Sequence, residues 1–173
     1  MHYSPKNGYR TTPMSASKNS ILKKKTRNKF DKINKENVMT SGRQVKIMVI
    51  DDEPEILTSF QQIFEETGMD VFPTDRGRKA IQELQKRKYD IAFIDMMMPE
   101  MDGITTMTEL KKINPDLMAI MISGFRDEDK VEKALKLGAY GYLYKPLNFQ
   151  DIIGVTLKCS QNLGFENNIE IVK

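Results

Sequence analysis

Three short apolar runs in this sequence each end in a charged group. They are Val45–Ile50 before Asp51 and Asp52, Ile91–Ile94 before Asp95, and Tyr140–Tyr144 before Lys145 and Pro146. Parallel strands that are covered on both faces are continuously apolar, and their carboxyl ends lie along one edge of the sheet. If these runs are neighbouring strands, three carboxylates and one ammonium converge at that edge. The pattern therefore predicts a site for a cation and a phosphoryl group.

The segments between the apolar runs carry apolar residues at helical spacing. The first begins at Pro54, a residue favoured in the first turn of a helix, and stops at Gly68. The same alternation then repeats along the chain. The further predicted strands are Met69–Phe72, Ile91–Ile94, Leu117–Ile122 and Tyr140–Leu143, and the further predicted helices are Arg78–Arg87, Ile104–Ile113, Asp127–Leu137 and one after Asn148. Five strand–helix units favour an α/β fold with a doubly wound, five-stranded parallel sheet.

Charge divides the chain into a basic first part and an acidic remainder. Residues 1–44 contain eleven Lys and Arg against two acidic residues, whereas residues 45–173 contain sixteen against twenty-two. The first part also has few apolar residues, so it cannot bury enough surface to offset its ordering entropy. We predict a disordered basic tail over residues 1–44, one folded domain over 45–163 and a short C-terminal tail over 164–173.

The basic tail contains no apolar stretch like that of a secretory signal or membrane anchor. No later segment approaches the ~20 apolar residues of a spanning helix, so we expect a cytoplasmic protein without a membrane span. Lys23–Lys25, Arg27 and Lys29 could meet nucleic acid or an anionic membrane by charge alone. Because basic runs are common in disordered regions, we favour a solvated linker or docking segment over nucleic-acid contact.

The acidic residues at the strand ends have the chemistry of a magnesium site. Asp51 and Asp52 can both bend toward one cation at a strand-to-loop junction, and Asp95 would complete an oxygen-rich pocket. Mg²⁺ suits few carboxylates, with waters and phosphate oxygens as the other ligands. Without a cation, three close carboxylates repel and at least one is pushed toward protonation. Each acid taken alone is explained as readily by turn chemistry or helix capping.

Four segments of the chain, in order, are similar to the motifs of one protein family. They read VIDDEP, FIDMMMPEMDG, MISG and GAYGYLYKPL. Together they resemble the receiver domain of two-component response regulators, over nearly all of Val45–Leu163. The resemblance implies a flavodoxin-like fold with strand order 2-1-3-4-5 and five helices. It also implies a signalling domain that phosphorylates itself, and not an enzyme.

The resemblance assigns a phosphoryl acceptor and a set of metal ligands. Asp95 matches the aspartate that accepts a phosphoryl group as an acyl phosphate. Asp51 and Asp52 match the acidic pair that holds Mg²⁺ together with Asp95, and the backbone carbonyl of Met97 would supply a further ligand.

The resemblance also assigns residues that respond to the phosphoryl group. Lys145 matches the lysine that pairs with the phosphoryl oxygens, and Pro146 follows it in what is usually a cis linkage. Ser123 matches the switch hydroxyl, and Tyr142 matches the aromatic residue that changes rotamer with it.

The partners implied by the resemblance are a phosphoryl donor and an effector. The donor would be a histidine kinase or a histidine phosphotransfer protein. Because the one histidine, His2, lies in the predicted tail, the donor is another molecule or a small acyl phosphate. A downstream effector would contact the face of the fourth helix, the fifth strand and the fifth helix. The resemblance also leaves open a homodimer that forms through the fourth and fifth helices on phosphorylation.

Two side chains near the acceptor predict a long phosphoryl lifetime. Met97 and Phe125 lie two residues beyond Asp95 and Ser123, where the side chains of family members overhang the phosphoryl group. Both are apolar, so we expect them to shield the acyl phosphate and to leave an attacking water without an orienting group.

Two other functions compete with the phosphorylated receiver. A magnesium-dependent phosphohydrolase of the haloacid dehalogenase type needs a second Asp two residues after its nucleophile, and Glu53 and Met97 stand at those positions. A receiver-like binding module that is not phosphorylated, with a nucleic-acid-binding basic tail, would lack an acidic partner, the acceptor or the lysine. None of these is missing from the sequence.

Overall fold

Five parallel strands alternate with five helices in the folded part of the chain. The structure, a computed structural model, describes residues 44–124 and 128–165. The elements are β1 (Lys46–Ile50), α1 (Pro54–Thr67), β2 (Asp70–Thr74), α2 (Gly77–Lys86), β3 (Ile91–Asp95), α3 (Gly103–Ile113), β4 (Met118–Ser123), α4 (Glu128–Lys136), β5 (Gly141–Tyr144) and α5 (Phe149–Asn162). No helix within the described ranges is long and apolar enough to span a bilayer.

The strands form one sheet in the order β2-β1-β3-β4-β5, and every pairing is parallel. This confirms the predicted fold class and strand order. The order reverses direction between β1 and β3, where crossover helices leave the sheet toward opposite faces. In such sheets the crevice outside the carboxyl ends of these two strands is the usual ligand site. The fold therefore brings the residues after β1 and β3 to one place.

The sheet is covered on both faces, and alternate residues of a central strand serve the two sides. Ala92 and Ile94 belong to the core that α2, α3 and α4 cover. Ile91 and Phe93 belong to the core that α1 and α5 cover. This is why the strands read as continuous apolar runs in the sequence. Burial of β1 and β3 on both sides holds their polar ends at a fixed position.

The edge strand β2 extends further than its sequence predicts. The prediction ended at Phe72, but the strand continues through Pro73, which is paired in register with Val49, to Thr74. Proline cannot donate a ladder hydrogen bond, and it is tolerated here because β2 lies at the edge of the sheet. Most other predicted boundaries differ from the structure by one residue, which is within the usual fraying of element ends.

Both ends of the chain lie almost entirely outside the described residues. These are the predicted tails over 1–44 and 164–173, so the predicted domain limits stay predictions. Asp127, the predicted first residue of α4, also lies outside, and the described helix begins at Glu128.

Candidate functional site

One ammonium group joins the carboxylates at the carboxyl edge of the sheet. Lys145 Nζ lies 2.8 Å from Asp95 Oδ1 and 3.0 Å from Asp51 Oδ2. It also lies 2.6 Å from Oε1 of Glu53. Asp51 is fully buried and Asp95 is 4% exposed. The structure thus brings Asp51, Asp95 and Lys145 together, and the third carboxylate at the ammonium is Glu53 where the strand ends predicted Asp52.

Backbone hydrogen bonds orient the two buried carboxylates. Glu53 N donates to Asp51 Oδ1 at 2.9 Å, and Met97 N donates to Asp95 Oδ2 at 2.7 Å. Each carboxylate therefore has one oxygen fixed by the loop that follows its strand and the other oxygen directed at Lys145. The backbone N–H of Lys145 donates to the carbonyl of Ser123 at 2.8 Å, which fixes the end of β5 beside the end of β4.

Burial and ion pairing act in opposite directions on the pKa values of the cluster. Burial raises the pKa of Asp51, although the hydrogen bond from Glu53 N and the contact with Lys145 partly offset it. Burial also opposes the charge of Lys145, but contacts with Asp95, Glu53 and Asp51 outweigh it and raise the pKa of the ammonium. Lys145 is therefore a fixed positive charge at neutral pH, whereas the cost of burying ionised Asp51 is only partly compensated.

The chemistry of these oxygens fits a hard divalent cation. Asp51 Oδ2 is buried and accepts no hydrogen bond, so its contact with Lys145 is an ion pair whose geometry is not that of a hydrogen bond. Such an oxygen has free lone pairs for a metal ion. Asp52 is exposed beside it. Among residues 44–124 and 128–165, no three acidic, histidine or cysteine side chains already stand together as a ligand set.

The residues predicted to respond to the phosphoryl group lie at the ends of β4 and β5. Ser123 is 3% exposed at the end of β4. Tyr142 in β5 is 42% exposed, and its ring meets that of Tyr144 edge to face at 5.1 Å. The peptide bond between Lys145 and Pro146 is cis.

Of the two residues predicted to control phosphoryl lifetime, Met97 and Phe125, the structure describes only Met97. Met97 is 64% exposed, and its thioether sulfur accepts a long contact of 3.7 Å from Lys130 Nζ on α4. Phe125 lies outside the described residues.

Sequence reasoning missed two residues of the site, Glu53 and Gly103. Glu53 meets Lys145 across 92 positions of sequence, and only its place directly after the Asp51-Asp52 pair could have indicated this contact. Gly103 begins α3 against the backbone of β3, where a Cβ atom would lie 2.1 Å from the Asp95 carbonyl oxygen. Its signal is a glycine directly after Asp102, the residue that caps the helix.

Comparisons with known proteins match the folded part of the chain. The family model for the response regulator receiver domain matches residues 47–156 of this chain. The chain belongs to the response regulator receiver family. The matched range of this receiver contains Asp51, Asp95 and Lys145. Receivers are signalling domains, so the coarse function of the folded part is signal transduction.

Two curated relatives and one solved structure illustrate the likeness. Transcriptional regulatory protein ZraR of Klebsiella oxytoca is 35% identical over 112 residues, which are 65% of this chain and 25% of that protein. Sporulation initiation phosphotransferase F of Bacillus subtilis is 27% identical over 107 residues, which are 62% of this chain and 86% of that protein. A receiver domain from Clostridium thermocellum superposes with a TM-score of 0.66 at 30% identity, covering 69% of this chain and 97% of that one. The receiver therefore spans about a quarter of the length of ZraR.

Close contact between α3 and β3 generates a prediction about Gly103. In Gly103→Ala, the added methyl group would collide with the Asp95 carbonyl and displace the loop that follows β3. We expect the free energy of unfolding, measured with urea, to fall by about 2–3 kcal/mol.

Gly154 provides the matched control, since it lies inside α5, where an added Cβ atom would meet no neighbouring element within 4 Å. Gly154→Ala should raise the free energy of unfolding by about 0.5–1 kcal/mol through helix propensity. Equal effects of the two substitutions would contradict the steric account of Gly103.

Proposed function

We propose that this receiver accepts a phosphoryl group on Asp95 and transmits the event to another protein. The observation that carries the proposal is the contact of 2.8 Å between Asp95 Oδ1 and Lys145 Nζ, with Asp95 Oδ2 held by Met97 N. One carboxylate oxygen is anchored and the other faces a cation, which supports both the positioning of an acceptor carboxylate and the stabilisation of charge during phosphoryl transfer.

The proposed reaction moves the phosphoryl group from a phosphohistidine to a carboxylate oxygen of Asp95. A phosphorus–nitrogen bond of the donor breaks, a phosphorus–oxygen bond to Asp95 forms, and the leaving imidazole takes up a proton. Lys145 neutralises charge that develops on the phosphoryl oxygens. Asp51 and Asp52, with Asp95 and the Met97 carbonyl, would hold Mg²⁺, which supplies further positive charge against the same oxygens.

The phosphoryl donor in this proposal is a histidine kinase or a histidine phosphotransfer protein. A relative that this chain resembles is named a sporulation initiation phosphotransferase. The one histidine of the sequence is His2, so no residue of the described fold can serve as the phosphohistidine.

The proposed output begins at Ser123 and ends on an exposed face. A phosphoryl group adds negative charge and acceptor oxygens beside Ser123, whose hydroxyl would move to donate to one of them. Tyr142 is exposed in this structure and would turn into the space that Ser123 vacates. We propose that the face of α4, β5 and α5 changes with it and binds the effector or a second phosphorylated copy.

Acetyl phosphate tests the acceptor directly. Incubation of the full chain with acetyl phosphate and Mg²⁺ should add one phosphoryl group, measured by intact mass, and Asp95→Asn should abolish the addition. Asp102→Asn is the matched control, because Asp102 is an exposed acid of the same loop. Its side chain accepts a hydrogen bond from Thr105 N, and asparagine can accept the same bond. Labelling that survives in Asp95→Asn, or turnover of phosphate esters, would refute the proposal, and turnover would favour the phosphohydrolase.

The same labelled protein tests the predicted phosphoryl lifetime. Met97 is apolar and cannot orient an attacking water, so we expect the phosphorylated receiver to lose its phosphoryl group slowly. Met97→Asn and Phe125→Gln each introduce a polar group, and both should release inorganic phosphate several times faster. Unchanged release rates in both variants would refute a protective role of these side chains.

A further inference from the structure

The ammonium of Lys145 has a third partner that the proposed reaction does not use. Glu53 Oε1 lies 2.6 Å from Lys145 Nζ, which is the shortest of the three carboxylate contacts. The Glu53 side chain is also the most exposed of the three, at 57%, against complete burial for Asp51. The closest partner of Lys145 is therefore the one that water can most easily replace.

The side chain of Glu53 has no structural task in its own helix. Glu53 stands at the N-cap of α1, but its carboxylate accepts no capping hydrogen bond. Its backbone carbonyl accepts from the N–H groups of Ile56 and Leu57 instead, and its backbone N–H donates to Asp51 Oδ1. Glutamate is not among the preferred N-cap residues, so its carboxylate is available to Lys145 without loss of a cap on α1.

A lysine ammonium has three donor hydrogens, and three carboxylates surround this one. A phosphoryl oxygen that approaches Lys145 therefore competes with the carboxylates that already surround the ammonium. Asp95 becomes the carrier of the phosphoryl group, and Asp51 is buried and fixed by Glu53 N. Glu53 is the partner that can leave, because its carboxylate is already largely exposed and can rotate into solvent.

We propose that Glu53 is a positioning residue that holds Lys145 in the unphosphorylated receiver and yields its place to a phosphoryl oxygen. This inference rests on the function proposed above. While Asp95 is unmodified, Glu53 keeps the ammonium at the site and opposes an incoming anion by competition and by charge. Removal of the Glu53 charge should therefore tighten the binding of a phosphoryl group at Asp95.

Beryllofluoride, an anion that mimics a phosphoryl group on a carboxylate, provides the test. Its dissociation constant for the full chain is measured by calorimetry with Mg²⁺ in excess, so that differences in metal affinity do not enter. Glu53→Gln keeps the size of the side chain and removes its charge. Since exposed ion pairs are weak, we expect binding to tighten about two- to fivefold.

Glu55→Gln is the matched control. Glu55 is an exposed acid in the first turn of the same helix, and Lys145 contacts Asp51, Glu53 and Asp95 instead. The substitution makes the same change in net charge close to the site, so a general charge effect would appear equally in both variants. We expect Glu55→Gln to change the dissociation constant by less than half the effect of Glu53→Gln.

The outcomes separate this inference from the proposed function. If the unmodified chain binds beryllofluoride and Glu53→Gln binds it equally well or more weakly, the role of Glu53 is overturned. The proposed phosphoryl site is not overturned by that result. Equal tightening in Glu53→Gln and Glu55→Gln would also overturn it. An unmodified chain that binds no beryllofluoride and takes no phosphoryl group from acetyl phosphate would overturn the proposed function and this inference with it.

Discussion

The ion pairs of Lys145 are the interaction on which the carboxyl edge of this sheet depends. Asp51 and Asp95 are buried side by side, and two ionised carboxylates in that position are costly without a compensating positive charge. Lys145 supplies that charge from β5, which is two strands away from β3 and therefore about 10 Å distant. Only a long cationic side chain can cross the end of β4 and reach both acids.

Under the proposed function, the same ammonium serves two states of the receiver. In the unphosphorylated state it compensates the carboxylates, and in the phosphorylated state it pairs with a phosphoryl oxygen. In this structure, backbone N–H groups of Glu53 and Met97 hold one oxygen of each buried acid, and the other oxygen of each acid faces Lys145. A site whose anchors do not move can bind and release a charged group with little reorganisation.

The sheet and the meeting of the acids with the lysine could be predicted because they follow from periodicity. Continuous apolar runs predict buried parallel strands, and such strands bring Asp51, Asp95 and Lys145 to one edge whatever the details of the loops. The extension of β2 through Pro73 was not predictable, since tolerance of proline depends on the strand being at the edge. The order of strands came from the family resemblance.

Contacts that depend on side-chain rotamers or on close approach of two backbones could not be predicted from the sequence. Glu53 meets Lys145 because two loops distant in sequence end at the same place, and Gly103 is required because α3 begins against a carbonyl of β3. Neither produces a periodic pattern. The roles of Ser123 and Tyr142 came from the resemblance alone and stay predictions, since spacing does not mark a residue that moves.

A double-mutant cycle between Lys145 and Asp95 tests the central claim most directly. The free energy of unfolding is measured with urea at pH 7, without divalent cations, for the unmodified chain, Lys145→Met, Asp95→Asn and the double variant. If Lys145 compensates buried carboxylates, Lys145→Met should lower this free energy by about 3 kcal/mol, and by clearly less when Asp95 is already neutral. Additive effects of the two substitutions would contradict the account.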